Sequence, residues 1–277
     1  MIADLALARR IEEDEALGVA SCAEAYGRAT GKRVATEAVA GGWAAYAEGI
    51  DFLNQAKGVG MHGAVSSDDL DRLESFYRER GVAAQVVVCP LADPSLLQLT
   101  RRGFHVQEFE NALAVDPRAV TPAPPASGVA VDLAAPDELD LWGETCARGF
   151  FGEDALAAVL PAFRAFARLP DVHVFLARVE GAVAGAAAFG MRDGLAGFFG
   201  TSVLAPHRGR GVHRELIRAR VESARRLGAD LLRVTTLAGS GSQRNFERWG
   251  FRPTYSRAVL VKDLLKDEKD EKDKKNK

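Results

Sequence analysis

An internal repeat constrains this chain more than any other feature. With Gly81 set against Gly228, a shift of 228 − 81 = 147 residues, Val87 falls opposite Val234, Ser95 opposite Ser242 and Arg101 opposite Arg248. Gly103-Phe104 then meets Gly250-Phe251, and Asp116 meets Asp263, with no gap. The order of local signals repeats as well. A polar helical stretch ends at a glycine suited to a left-handed cap, and a β-rich run follows ("AQVVVCP", "LLRVTTL"). Next come a small-residue loop, a short helix, Gly-Phe and a final strand ("VQEFENALAV", "YSRAVLVK"). Shared identities in a shared order of elements mark a duplication.

The length of 277 residues accommodates two domains, and 47% apolar residues give each half a core. "DPRAVTPAPPASG" (Asp116 to Gly128) has four prolines and reads as an extended linker. The end of the chain, "KDEKDEKDKKNK", has no apolar residue and reads as a solvated disordered tail. The expected organisation is a first repeat over 1–116, a Pro-rich linker over 117–128, a second repeat over 129–265 and a charged tail over 266–277. A net charge of −2 gives no global pull toward nucleic acid or anionic lipid. Cys22, Cys89 and Cys146 are too scattered for a disulfide framework or a zinc cluster, which fits a reducing cytosol. "MIADLALARRIEEDEAL" reads as an amphipathic helix, without the basic start and apolar run of a signal peptide. The weakly polar run Ala182 to Gly190 is too short to span a bilayer. These features lead us to expect a cytoplasmic protein, monomeric or homodimeric, without metal, membrane or nucleic-acid partner.

In the second half, helices are expected over Asp137 to Phe151 and Ala155 to Ala167. Strands are expected over Val172 to Val179, from Ala182, and over Leu195 to Leu204, with Glu180-Gly181 as a hairpin turn. A helix over Val212 to Leu227, a strand "LLRVTTL", a short Ser-capped helix and a strand "YSRAVLVK" complete a mixed sheet with helices on both faces. The stretch "APHRGRGVHRELI" lies where a strand gives way to the long helix. Such a loop aims backbone N–H groups and the positive end of the helix dipole at one point. Gly209 and Gly211 let the backbone approach a bulky anion, and Arg208, Arg210 and Arg214 add charge around it. The loop suits a pyrophosphate; taken alone, it also reads as a surface turn with solvated arginines. It is neither a nucleoside-triphosphate P-loop nor a Rossmann fingerprint. The 147-residue shift sets "VGMHGAV" (Val59 to Val65) opposite it, without the arginines, so only the second half carries the loop chemistry.

The second half, roughly Val129 to Lys262, resembles the GNAT acyl-CoA N-acyltransferase superfamily. The resemblance rests on Arg208-Gly209-Arg210-Gly211-Val212-His213, the helix after it, Gly228-Ala229-Asp230, and the segment Ser240 to Phe251 ending in Gly-Phe. The whole chain resembles bacterial tandem members whose first repeat has decayed. The resemblance implies an α+β fold of two GNAT-like repeats, each a mixed, mostly antiparallel sheet with helices on both faces. It implies acetyl-CoA (coenzyme A) as cofactor, its pyrophosphate held by the loop amides and its pantetheine arm paired to the strand ending at Ser202-Val203. The cofactor set is then Ser202, Val203, Arg208, Gly209, Arg210, Gly211, Val212, His213, Arg214 and Asn245. His213 stands where the family usually lacks a side chain, and is expected to point outward from the helix start.

The family's usual catalytic groups are missing. The strand before the loop has no glutamate, and Phe246 occupies the place of the usual acidic tyrosine. Tyr255 is the nearest hydroxyl able to protonate a leaving thiolate, its other reading being a packed strand aromatic. Ser240 and Ser242 read as helix caps, and His173 as half-buried packing. Two functions follow: an acetyl-CoA-dependent N-acetyltransferase acting on an amine of a small molecule or protein, or a non-catalytic acyl-CoA-binding or scaffold protein.

Overall fold

A computed structural model describes residues 3–121, 124 and 128–264. In chain order the elements are α1 (Leu5–Thr30), β1 (Val34–Val39), β2 (Gly42–Ala47), β3 (Ala56–Lys57), α2 (Ser67–Arg78), β4 (Ala84–Val88), α3 (Gln98–Arg101) and β5 (His105–Val115). They continue with β6 (Val129–Leu133), α4 (Leu139–Phe151), α5 (Leu156–Phe166), β7 (Val172–Val179), β8 (Ala182–Arg192) and β9 (Leu195–Val203). The last are α6 (Val212–Arg226), β10 (Leu231–Leu237), α7 (Gly241–Arg248) and β11 (Arg252–Lys262). The fold is α+β with mostly antiparallel strand pairing. The duplication is visible in the elements. Shifted by 147, Ala84 becomes Leu231, the first residue of β10, and His105–Val115 becomes Arg252–Lys262, the whole of β11.

The chain forms two compact units that do not follow the expected boundaries at 117–128. Among the described residues, a middle unit holds Arg28–Thr30 and those within Asn111–Thr254; a terminal unit holds residues 3–27, Gly31–Glu110 and residues 255–264. The two equivalent strands are therefore each divided: residues 111–115 of β5 belong with the second half, and residues 255–262 of β11 with the first. The reason lies in pairing. β11 runs antiparallel to β4, Ala258 opposite Val88 through Lys262 opposite Ala84, and Leu260 joins the core of Leu70, Leu73, Phe76, Val86, Leu96 and Phe104.

In the terminal unit, α1 buries Ala8, Ile11, Val19, Ala23 and Tyr26 at helical spacing. Glu12 and Glu15 are also buried, and Arg257 of β11 reaches both, at 3.1 and 3.0 Å, together with Glu110 at 2.9 Å. Lys57 adds a second cation on Glu15 at 2.6 Å.

In the middle unit the strand order is β10-β9-β8-β7-β6, with only β9 and β10 parallel. Val174 to Ala177 of β7 are all buried, so both faces of the strand are covered. One face packs Phe175, Ala177, Phe189 and Phe198 against Leu216 and Ile217 of α6. Trp142 of α4 is wholly buried and donates Nε1–H to the Ala187 carbonyl at 2.9 Å. The edge strand β6 was not foreseen: "VAVDL" is short and mostly exposed, and carries little apolar signal. The start of the expected linker is packed. Pro117–Ala119 makes a 3₁₀ turn, Val120 is buried, and Arg225 donates to the Pro117 and Val120 carbonyls. The tail expected to be disordered lies outside the described residues. Among those described, no helix is long and apolar enough to cross a membrane.

Candidate functional site

The middle unit holds a cleft of about 520 Å³ lined by Gly149, Thr201–Val203, His207–Gly209, Gly211–Arg214, Gly241 and Asn245. Two local features of the sequence open it. β9 and β10 pair only from Leu195–Leu231 to Phe198–Val234, although β9 continues to Val203 and β10 to Leu237. Beyond Phe198 the two strands are unpaired. The departure coincides with a bulge, where the β8–β9 register slips from Ala186–Ser202 to Ala188–Phe199. Gly200 supplies the left-handed φ of +62° that the bulge requires. The second feature is the start of α6. Its N-cap, Gly211, has φ +84° and provides no side-chain acceptor for the first-turn amides. Those amides have no carbonyl within the helix, and Gly211–Arg214 line the cleft. None of the described residues lining the cleft carries a carboxylate, while Arg208 and Arg214 carry positive charge. A lining of this chemistry can accommodate an anion.

The residues singled out from the sequence divide into three groups. Gly209, Gly211, Val212, Val203, Arg208, Arg214 and Asn245 line the cleft, and a Cβ on Gly209 would meet only open space. Ser202 lines it through its backbone; its hydroxyl is buried and donates to the Thr145 carbonyl at 3.3 Å. Arg210 is not among the lining residues, because Glu180 of the β7–β8 turn holds it at 2.7 Å. Tyr255 does not line the cleft. It belongs to the terminal unit, is buried, and its hydroxyl donates to Glu12 Oε1 at 2.9 Å. Burial beside that carboxylate pushes its pKa far up.

His213 does not point outward as expected. Its ring lines the cleft edge-on to Phe246, with centroids 5.7 Å apart, and its buried Nδ1 has no protein partner. Burial, with the nearby Arg220 charge, pushes the imidazole down to about 4, so it is neutral at pH 7. His207, which sequence reasoning passed over, also lines the cleft with an unpartnered buried Nδ1. Its only signal was adjacency to the loop. Ser240 caps α7 as expected, accepting from the Gln243 amide at 3.1 Å, whereas Ser242 lies inside the helix and is not its cap; His173 stacks on Phe189 at 4.8 Å.

Sequence reasoning also missed Arg220. It is wholly buried in the middle of α6. Its guanidinium lies 4.5 Å over the Phe198 ring and 5.7 Å from the Phe246 ring, donating to the Leu216 and Ala188 carbonyls. Burial pulls its pKa down to about 9, which leaves it protonated at neutral pH.

The corresponding loop of the terminal unit is closed by its own side chains. Ser66 and Asp69 form a capping box on α2, and Ser95 Oγ accepts from the Val65 amide at 2.7 Å. Arg9 donates to the Met61 carbonyl at 2.7 Å, and Glu13 holds His62 at 2.7 Å. The Val65, Ser66 and Asp69 amides are satisfied there by side chains of the same unit.

Residues 139–251 match the model of the acetyltransferase (GNAT) family. Among solved structures, a GCN5-related N-acetyltransferase from Kribbella flavida matches with a TM-score of 0.61 at 18% identity, over 87% of this chain and 93% of that one. A tandem GNAT protein from the clavulanic acid biosynthesis pathway matches with a TM-score of 0.54 at 18% identity, over 70% of this chain and 68% of that one. These likenesses show the GNAT fold. No curated protein matches the chain in sequence.

Proposed function

We propose that this chain, which carries a GNAT acetyltransferase domain over residues 139–251, binds acetyl-CoA in the middle-unit cleft and transfers its acetyl group to an amine. The observation that carries the reading is the uncapped N-terminus of α6, which faces a carboxylate-free cleft continuous with the unpaired stretch of β9. The amides of Gly211, Val212 and His213, with Arg208 and Arg214, hold the diphosphate. The backbone of Thr201 to Val203, free on the β10 side, pairs with the pantetheine amides, as one strand pairs with another. Bound there, acetyl-CoA supplies an activated acyl group. The protein contributes position and polarising N–H groups, and it excludes water along the cleft.

Titration of coenzyme A should give one site per chain. Two equal sites would contradict the closed loop of the terminal unit. Gly211→Val places a β-branched residue at a left-handed φ in the anion's space and should weaken binding about 10- to 100-fold, the scale of one or two lost charge-assisted hydrogen bonds. Turnover with a panel of amines tests transfer. The buried Phe246, and Tyr255 sequestered on Glu12, favour a second reading, a non-catalytic acyl-CoA-binding protein. Bound acetyl-CoA that stays inert across the panel would select it.

A further inference from the structure

We propose that Arg220 is a positioning residue for acyl transfer, an uncompensated guanidinium at the β9 bulge whose field stabilises negative charge developing on the thioester oxygen and the leaving sulfur. This rests on the acetyl-transfer reading above.

Three observations lead to it. First, among the described residues no carboxylate pairs with Arg220, and its Nη2 has no partner, although the side chain is wholly buried. A buried charge without a counter-ion costs stability, and a core position would be better served by an apolar residue of similar volume. The other fully buried arginine, Arg257, meets three carboxylates. Second, Arg220 sits where the fold opens. Nη1 donates at 3.2 Å to the carbonyl of Ala188, the residue at which the β8–β9 register slips. It covers Phe198, the last residue of β9 still paired with β10. Third, its charge reaches the cleft. Phe246, beneath the guanidinium, touches the ring of His213, a lining residue whose pKa the Arg220 charge helps to lower.

In the reaction the amine lone pair attacks the thioester carbonyl carbon, the C–N bond forms and the C–S bond breaks. The electron pair goes to sulfur, and a proton from the amine nitrogen passes through water to give the free thiol. With Phe246 in place of a hydroxyl, the described lining residues include no tyrosine, cysteine or carboxylic acid. A fixed positive charge performs the equivalent task by making the thiolate a better leaving group before it is protonated.

Arg220→Met keeps volume and removes the charge. The expected result is kcat lower by about tenfold, the scale of one charge acting over ~10 Å of protein, at nearly unchanged KM, with Tm unchanged or higher. Arg220→Lys should retain more turnover than the methionine variant. In the same samples the His213 imidazole, followed by NMR, should titrate at higher pH in Arg220→Met than in the parent. That measurement needs no turnover, so it stands even if no amine is acetylated, an outcome that would instead sink the parent reading. A methionine variant with parental kcat, one that loses the fold, or an unmoved His213 titration would each overturn the assignment.

Discussion

Arg257 is the residue on which the terminal unit depends most. The guanidinium is wholly buried and lies within 3.1 Å of carboxylates from Glu12, Glu15 and Glu110. Arg257→Met removes the only cation on Glu12 and Glu110 seen among the described ion pairs, while Glu15 keeps Lys57. Removing one partner of a buried ion cluster costs about 3–5 kcal/mol, because the remaining charges stay desolvated. For a chain of this size each kcal/mol shifts Tm by about 2–4 °C, so a fall of about 6–20 °C is expected. Thermal unfolding followed by circular dichroism reads it directly. The triple variant Arg257→Met, Glu12→Gln, Glu110→Gln should recover at least half of the loss, since neutral amides are far cheaper to bury than carboxylates. A single variant that loses less than about 1 kcal/mol, or a triple variant no better than the single, would refute the argument that charge compensation holds β11 in place.

Tyr255→Phe should cost about 1.5–3 kcal/mol through the lost hydrogen bond to Glu12 and leave turnover per folded molecule unchanged; a hundredfold fall in kcat would restore Tyr255 as an acid. A fragment spanning residues 129–262 should fail to fold, because residues 258–262 of β11 lose β4; a soluble fragment with parental Tm would count against the divided strand. His213 titrates at about 4 when folded and at about 6.5 when unfolded, so the unfolded chain binds the extra proton between those values. This stabilisation, on the order of 3 kcal/mol, is complete above pH ~6.5 and lost as pH falls toward 4. His213→Gln should flatten the Tm profile between pH 4 and 7, and parallel profiles for parent and variant would exclude the assignment.

The glycine N-cap of α6 and the arginines beside it were legible in the sequence, because they are local features. The depth of the cleft was not. It arises from where β9 and β10 stop pairing and from the bulge at Gly200, and both depend on strand register between distant segments. Arg220 was hidden for a related reason. In "RELIRARVESARR" it is one arginine among several on a polar helix, and only packing decides that it faces Phe198 while Arg218 pairs with Glu215 and Glu222. Tyr255 was read from nearness in sequence rather than from packing. Its nearness to Gly250-Phe251 in sequence suggested nearness to the site, but β11 passes from one compact unit to the other between Thr254 and Tyr255.

The same repeat places opposite charges at one of its positions. Positions 110 and 257 differ by 147, so Glu110 and Arg257 are one position of the repeat, now of opposite charge and 2.9 Å apart. Two identical chains meeting at this position would bring like charges together in a buried place, at a cost neither chain could relieve alone. Within one duplicated chain each copy is free to take its own sign. In the first copy Glu12 and Glu15 meet Arg257 in a buried place, while the half-exposed Glu13 meets the loop histidine His62. Among the described residues, the start of α6 in the second copy has no such side-chain partner.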